Sequence, residues 1–125
     1  MQRLHFEEKW DRAISAKDRN YIEKLFSETK NTSKVDVVFT PVREAINHQK
    51  ALLVTVLIHN FRNETVKFEN AKMVYLVDNE AFAERNFSVP TIEIPEKSSM
   101  PWTFIFPKES YKSQMNYKNG RLEAR

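Results

Sequence analysis

The residues best suited to chemistry are His5, His48 and His59, the Ser98-Ser99 pair, and acids such as Asp78. A serine beside an imidazole that a carboxylate orients would be an acyl-transfer nucleophile. Ser98-Ser99, His59 and Asp78 supply the types, but a chain of this size always offers such triples, and only geometry gives them meaning. For a metal, no two histidines stand at i,i+2 or i,i+4. His5 with Glu7 and Glu8 is a metal-type cluster, but a chain terminus makes a poor cage. There is no cysteine, so no thiolate ligand and no disulfide. The single glycine is Gly120. Before it there is no Gly-rich phosphate loop, no dinucleotide fingerprint and no Gly-flanked nucleophile turn. The expectation is a binding domain with no catalytic residues, no cofactor and no metal.

A chain of 125 residues with 41% hydrophobic and 12% aromatic side chains is enough for one core. The net charge of +3 is unevenly placed. Lys108, Lys112, Lys118, Arg121 and Arg125 stand against Glu109 and Glu123, so the stretch 108–125 holds the whole excess and the rest is neutral. A neutral body lacks the clustered cations of a nucleic-acid footprint, so no nucleic-acid partner is expected. Residues 108–125 read as a solvated basic C-terminal tail, with weak attraction to an acidic partner or an anionic membrane as its other use. Neither a spanning apolar run nor a secretion signal is apparent, and the expected location is cytoplasmic.

Residues 1–31 read as helical or mixed. Ser15-Ala16-Lys17-Asp18 resembles a capping box, and Tyr21, Ile22, Leu25 and Phe26 form an apolar stripe on a helix expected from about Lys17 to Thr29. From Val35 the period becomes two. Val35, Val37 and Phe39 lead to Pro41, which marks an edge or kinked strand continuing through Val42 to Ile46. Ala51–Ile58 is apolar on both faces apart from Thr55, as in a central strand covered on both sides. Shorter strands follow at Val66–Phe68, Met73–Val77, Ala81–Val89 and Ile92–Ile94, with Phe82 and Phe87 expected on opposite faces. Trp102, Phe104 and Phe106 share one face of the last strand. About seven short strands with frequent turns predict a mainly β fold: an immunoglobulin-like β-sandwich preceded by an N-terminal helix. One domain is expected over 1–107, with the tail outside it. Without glycine, Asn and Asp must supply the turns, among them Asn47, Asn60, Asn63 and Asn79.

Leu52-Leu53-Val54-Thr55-Val56-Leu57-Ile58-His59-Asn60 resembles a signature strand of the SLAP domain family of Firmicutes. Ile94-Pro95-Glu96-Lys97-Ser98-Ser99, followed by Pro101-Trp102-Thr103-Phe104-Ile105-Phe106-Pro107, is similar to that family's closing motif. Trp10-Asp11, Ile14-Ser15, Asp18 and Tyr21 look like its N-terminal segment. His59 departs from the family's usual Arg. The resemblance implies a helper for a dedicated secretion ATPase and S-layer protein export, with no catalytic residues to carry over. Trp10 and Trp102 match signature positions and, with Phe104 and Phe106, are expected as core anchors.

Three uses remain open. A protein partner, such as a secretion ATPase or its cargo, would add a strand at the edge carrying Val42 and Ile46. Self-association to a homo-oligomer would use Phe61, an apolar ring in a polar turn. Peripheral membrane contact would use Lys108, Lys112, Lys118 and Arg121.

Overall fold

The computed structural model describes residues 2–31, 36–111 and 119–125. Two helices open the fold after a short strand, β1 (Arg3–Leu4). Helix α1 (Glu8–Ala13) starts because the Glu7 carboxylate accepts from the N–H groups of Lys9 (2.6 Å) and Trp10 (3.2 Å). Helix α2 (Ala16–Thr29) starts at Ser15, whose hydroxyl accepts from the Asp18 N–H at 3.1 Å. Ile22 is buried, and Leu25 and Phe26 are half-buried. Tyr21 falls off the stripe and is 49% exposed.

Among the described residues seven strands follow two sheets. Strands β2 (Val37–Ile46), β3 (Leu52–Asn60) and β6 (Ser98–Phe106) join β1 in the order β1-β6-β3-β2. Strands β4 (Val66–Val77), β5 (Glu80–Ile94) and β7 (Arg121–Ala124) form the second sheet, in the order β5-β4-β7. Strand β3 is central, and β2 is an edge, as Pro41 predicts. The chain does not break there: Pro41 pairs with Val56 and Arg43 with Thr55, so Val42 is the extra residue of a bulge.

Bulges also explain three departures from the expected pattern. The two segments expected on either side of Asn70 are one strand, because Asn70 takes φ 49° and donates its N–H to the Ser88 hydroxyl (2.8 Å). The segments either side of Pro90 likewise form a single strand, with a register break between Lys67 and Phe68. Phe82 and Phe87 were expected on opposite faces, yet both lie in the core. Tyr75 pairs with Ala83 and Leu76 with Ala81, which leaves Phe82 as an inserted residue and changes the parity.

Between the sheets Phe104 is the hub. The rings of Phe39, Phe68 and Phe87 meet it edge-on or tilted at 6.3, 5.7 and 5.2 Å, and Phe87 also meets Phe106 at 5.3 Å. Phe104 and Phe106 are core residues as expected. Trp10 and Trp102 are half-buried; their rings stack at 6.4 Å and fasten α1 to the sheet rather than filling the centre.

The described part of 108–125 is not a solvated extension. After a 3-10 turn at Lys108–Ser110, Tyr111 stacks on Phe82 at 5.6 Å and donates its hydroxyl to the Lys50 carbonyl at 2.7 Å. Strand β7 pairs with β4 and buries Leu122. Gly120 makes that return possible: a Cβ there would stand 2.3 Å from Tyr75 Cζ and 2.7 Å from the Leu76 carbonyl oxygen. Gly120→Ala is expected to destabilise the fold by about 1–3 kcal/mol through overpacking, read as a lower urea midpoint; an unchanged midpoint would show that β7 is not held by this contact.

Candidate interaction surface

Sheet β1-β6-β3-β2 carries apolar residues on its outer face, and α2 covers only part of it. Where helix and sheet meet, His59 is buried and fully engaged. Its Nδ1 lies 2.6 Å from the Ser99 hydroxyl and its Nε2 2.8 Å from the Thr29 hydroxyl. Thr29 donates its proton to the Leu25 carbonyl (2.7 Å), so it accepts from His59 Nε2–H. Ser99 accepts from the Gln2 amide (3.0 Å) and donates to Nδ1. Every donor in this relay has an acceptor when the imidazole is neutral. The ring lies between Phe61 (5.1 Å, 9° between planes) and Phe26 (6.2 Å, 26°). Burial pushes its pKa from 6.5 down to about 4.

The serine–histidine contact therefore exists, but in a sealed place. Ser99 and His59 are both buried, and Thr29 occupies the nitrogen that a carboxylate would orient. Asp78 sits in the β4–β5 hairpin with φ 53°, at the far end of β4 from the turn after His59. Glu7 is committed as the cap of α1. Among the described residues no group of three His, Cys, Asp or Glu could hold a metal ion.

Phe61, whose ring could either serve self-association or fold back on the core, does the latter: it is buried and stacks on His59 in the same seam. Its neighbour Asn60 explains why the strand motif ends in that residue. The Asn60 amide donates to the carbonyls of Glu64 (2.9 Å), Ile94 (3.0 Å) and Pro95 (3.1 Å), and its oxygen accepts from the Arg62 N–H (3.0 Å). One side chain thus ties the β3–β4 turn to the β5–β6 connection.

The open features lie along β2. Beside α1 and α2 a groove of about 600 Å³ is lined by Trp10, Ile14, Ile22, Ala45, Leu53 and the hydroxyls of Thr55 and Thr103, which bond each other at 2.8 Å. An ion pair between Arg43 and Asp18 (3.1 Å) stands on its rim. Val42 and Ile46 lie on this same edge strand, both half-buried; Val42 is the bulged residue, and Tyr21 flanks it across a shallow hollow. A second groove of about 670 Å³ opens between β2 and the pair β4–β7. At its mouth the Arg62 guanidinium beside Asp36 (2.6 Å) holds that carboxyl below the usual range, with the Val37 N–H assisting.

Of the cationic candidates, Arg121 lines the second groove. Lys108 is exposed on the 3-10 turn. Arg121 is on β7, bonded to Asn79 (2.8 Å) and Glu123 (3.3 Å). Lys112 and Lys118 lie outside the described residues. Among the described residues no helix is long and apolar enough to cross a membrane. The His59 relay and the second groove were not foreseen from the sequence. His59 registered as the imidazole of a conceivable triad with Ser98-Ser99 and as a departure from a family pattern, and neither Thr29 nor Gln2 carried any signal.

The family model of the SLAP domain matches residues 4–123, and the chain belongs to that family. No curated protein and no solved structure matches it.

The relay predicts a pH dependence. Between about pH 6.5 and 4 the unfolded chain protonates at His59 while the folded chain does not, so this residue's contribution to stability falls as pH falls through that window. His59→Gln should be less stable than the parent at pH 7.5, with the gap narrowing at pH 4.5 in urea unfolding. A gap that stays constant would mean that His59 titrates alike in both states.

Proposed function

We propose that this SLAP domain is a non-catalytic protein-interaction module that assists an accessory secretion system, contacting the export ATPase or its S-layer-type cargo on the cytoplasmic side. The family membership supports the setting, and the free edge of β2 beside the helix–sheet groove is the observation that carries the mode of action. A partner segment in extended form would pair with β2 on the side away from β3, and its alternate side chains would enter the groove under Trp10 and Ile14. The bulge at Val42 limits pairing to short segments and keeps two copies of the edge from joining along their full length. We also read the sandwich as immunoglobulin-like. The pairing of β3 with β6 in one sheet, and of β4 with both β5 and β7 in the other, supports that reading.

Titration of the purified ATPase and of unfolded export cargo into the domain tests the proposal. Val42→Pro and Ile46→Pro should each weaken binding about tenfold or more, since each removes an edge donor and a net hydrogen bond is worth about 1 kcal/mol plus the cost of the unpaired partner group. A Lys108→Glu variant should bind as the parent does. Full binding by both proline variants would sink the edge mechanism, and no binding of either protein by the parent would sink the secretion role.

A further inference from the structure

Helix α1 is tied at both ends and lightly held between them. Ahead of it, the His5 N–H bonds the Ser99 carbonyl of β6 at 2.8 Å. Behind it, Ser15 caps α2. The flanking residues Glu7 (φ −60°, ψ 146°), Ile14 (−71°, 137°) and Ser15 (−71°, 157°) are extended, so the helix hangs between two joints that are not helical. None of its 6 residues is buried, and only Trp10 is half-buried. A helix this short has little stability of its own, so its contacts decide where it lies. One is the stack of Trp10 on Trp102 at 6.4 Å. The other is Arg19 of α2. Its guanidinium donates to the Asp11 carboxylate (2.6 Å) and to the Asp11 carbonyl (3.0 Å), and lies over the Phe6 ring at 4.6 Å. The ion pair is partly exposed, with 32% and 57% of the two side-chain surfaces open to solvent, and such pairs contribute little.

This lightly held helix is also a wall of the groove beside β2. Trp10, Ala13 and the following Ile14 line it together with Ala45, Leu53 and Thr103, which sit on strands locked by continuous ladders. We propose that α1 is a movable wall: it swings from β6 about Glu7 and Ile14-Ser15, the two indoles part, and the groove widens to admit an apolar side chain. Arg19 is the fastener that keeps the closed position dominant. It is not part of the groove lining, so its effect on binding runs through the position of α1. A site that is open for only part of the time binds with its affinity reduced by the open fraction. Loosening Arg19 therefore strengthens binding, the opposite of what the loss of a lining residue does. What enters the groove rests on the preceding reading of a partner segment; the movement of α1 does not.

The chain has two tryptophans, and both are in the stack, so their indole N–H signals report on α1 directly. NMR relaxation dispersion on the ¹⁵N-labelled full chain should show exchange at both indoles and at the Ile14 amide, and none at Val54 and Val56 in β3. Arg19→Ala should raise the minor population about fivefold, the size expected for one exposed ion pair with its cation–π contact. Arg19→Lys, which retains the charge but not the fork, should raise it less. The groove is probed with N-phenylnaphthylamine, a neutral apolar dye, and amide shifts at Ala45, Leu53 and Thr103 place the dye there. Its affinity for Arg19→Ala should rise by the same factor as the minor population. Dispersion that spreads equally into β3, or that is absent from the indoles of both parent and Arg19→Ala, would overturn the movable wall. A raised population with unchanged dye affinity would overturn the gating. No secretion partner enters these measurements, so a failure of ATPase or cargo binding leaves their result standing.

Discussion

Strand β3 is apolar on both faces, and most of the architecture answers that constraint. Leu52, Val54, Val56 and Ile58 face the second sheet, while Leu57 and His59 are buried on the opposite side under the helix layer. A sheet with two apolar faces needs a cover on each, and here a sandwich supplies one and α2 the other. The helix cover brings polar groups with it. Wherever they are buried they must be paired internally, which is why the seam contains a relay running from Gln2 through Ser99, His59 and Thr29 to the Leu25 carbonyl. The relay joins the residue before β1, strands β3 and β6, and the end of α2. It also requires a neutral imidazole. Position, tautomer and depressed pKa are consequences of the same buried seam.

Much of this plan was legible from residue types. The two-sided apolar run of β3, the edge character of β2 at Pro41 and the Ser15 start of α2 all follow from local rules. What was not legible depended on parity or on distant partners. A bulge changes the face of a side chain, and the insertion of Phe82 has no marker in its own sequence neighbourhood. Gly120 looked like a loose residue in a tail, because its reason, the Tyr75 ring at a distance no Cβ tolerates, lies 45 residues away in the chain. The place of Phe61 stayed open for the same cause: the polar turn around it was visible, the His59 ring beneath it was not. Positive φ angles fell on Asn70, Asp78, Asn79 and Asn119, as a chain poor in glycine demands, but also on Lys50 and Lys97. Lys97 is held by its own ammonium on the Phe61 carbonyl at 2.6 Å.

The candidate surface was legible only in part, for a related reason. Val42 and Ile46 could be placed on an edge because proline and strand periodicity are local signals. The groove beside them could not, since it depends on how far α1 and α2 reach across the sheet. The second groove could not either, since its walls come from β2, β4 and β7, which are distant in sequence.

Edges on the same side of a sandwich create a tension that side chains must resolve. Strands β2 and β4 lie in opposite sheets and line the same groove. Exposed, regular and apolar, they would invite indiscriminate pairing between copies. Each is interrupted instead: β2 by the absent N–H of Pro41 and the bulge at Val42, β4 by the left-handed Asn70 and by the outward charges of Lys67, Glu69 and Lys72. Such interruptions do not close an edge; they shorten the stretch that can pair and make side-chain complementarity decide which segment fits. The chemistry-bearing groups lie elsewhere, sealed in the structural seam, where His59 and Ser99 are buried and paired with each other at 2.6 Å.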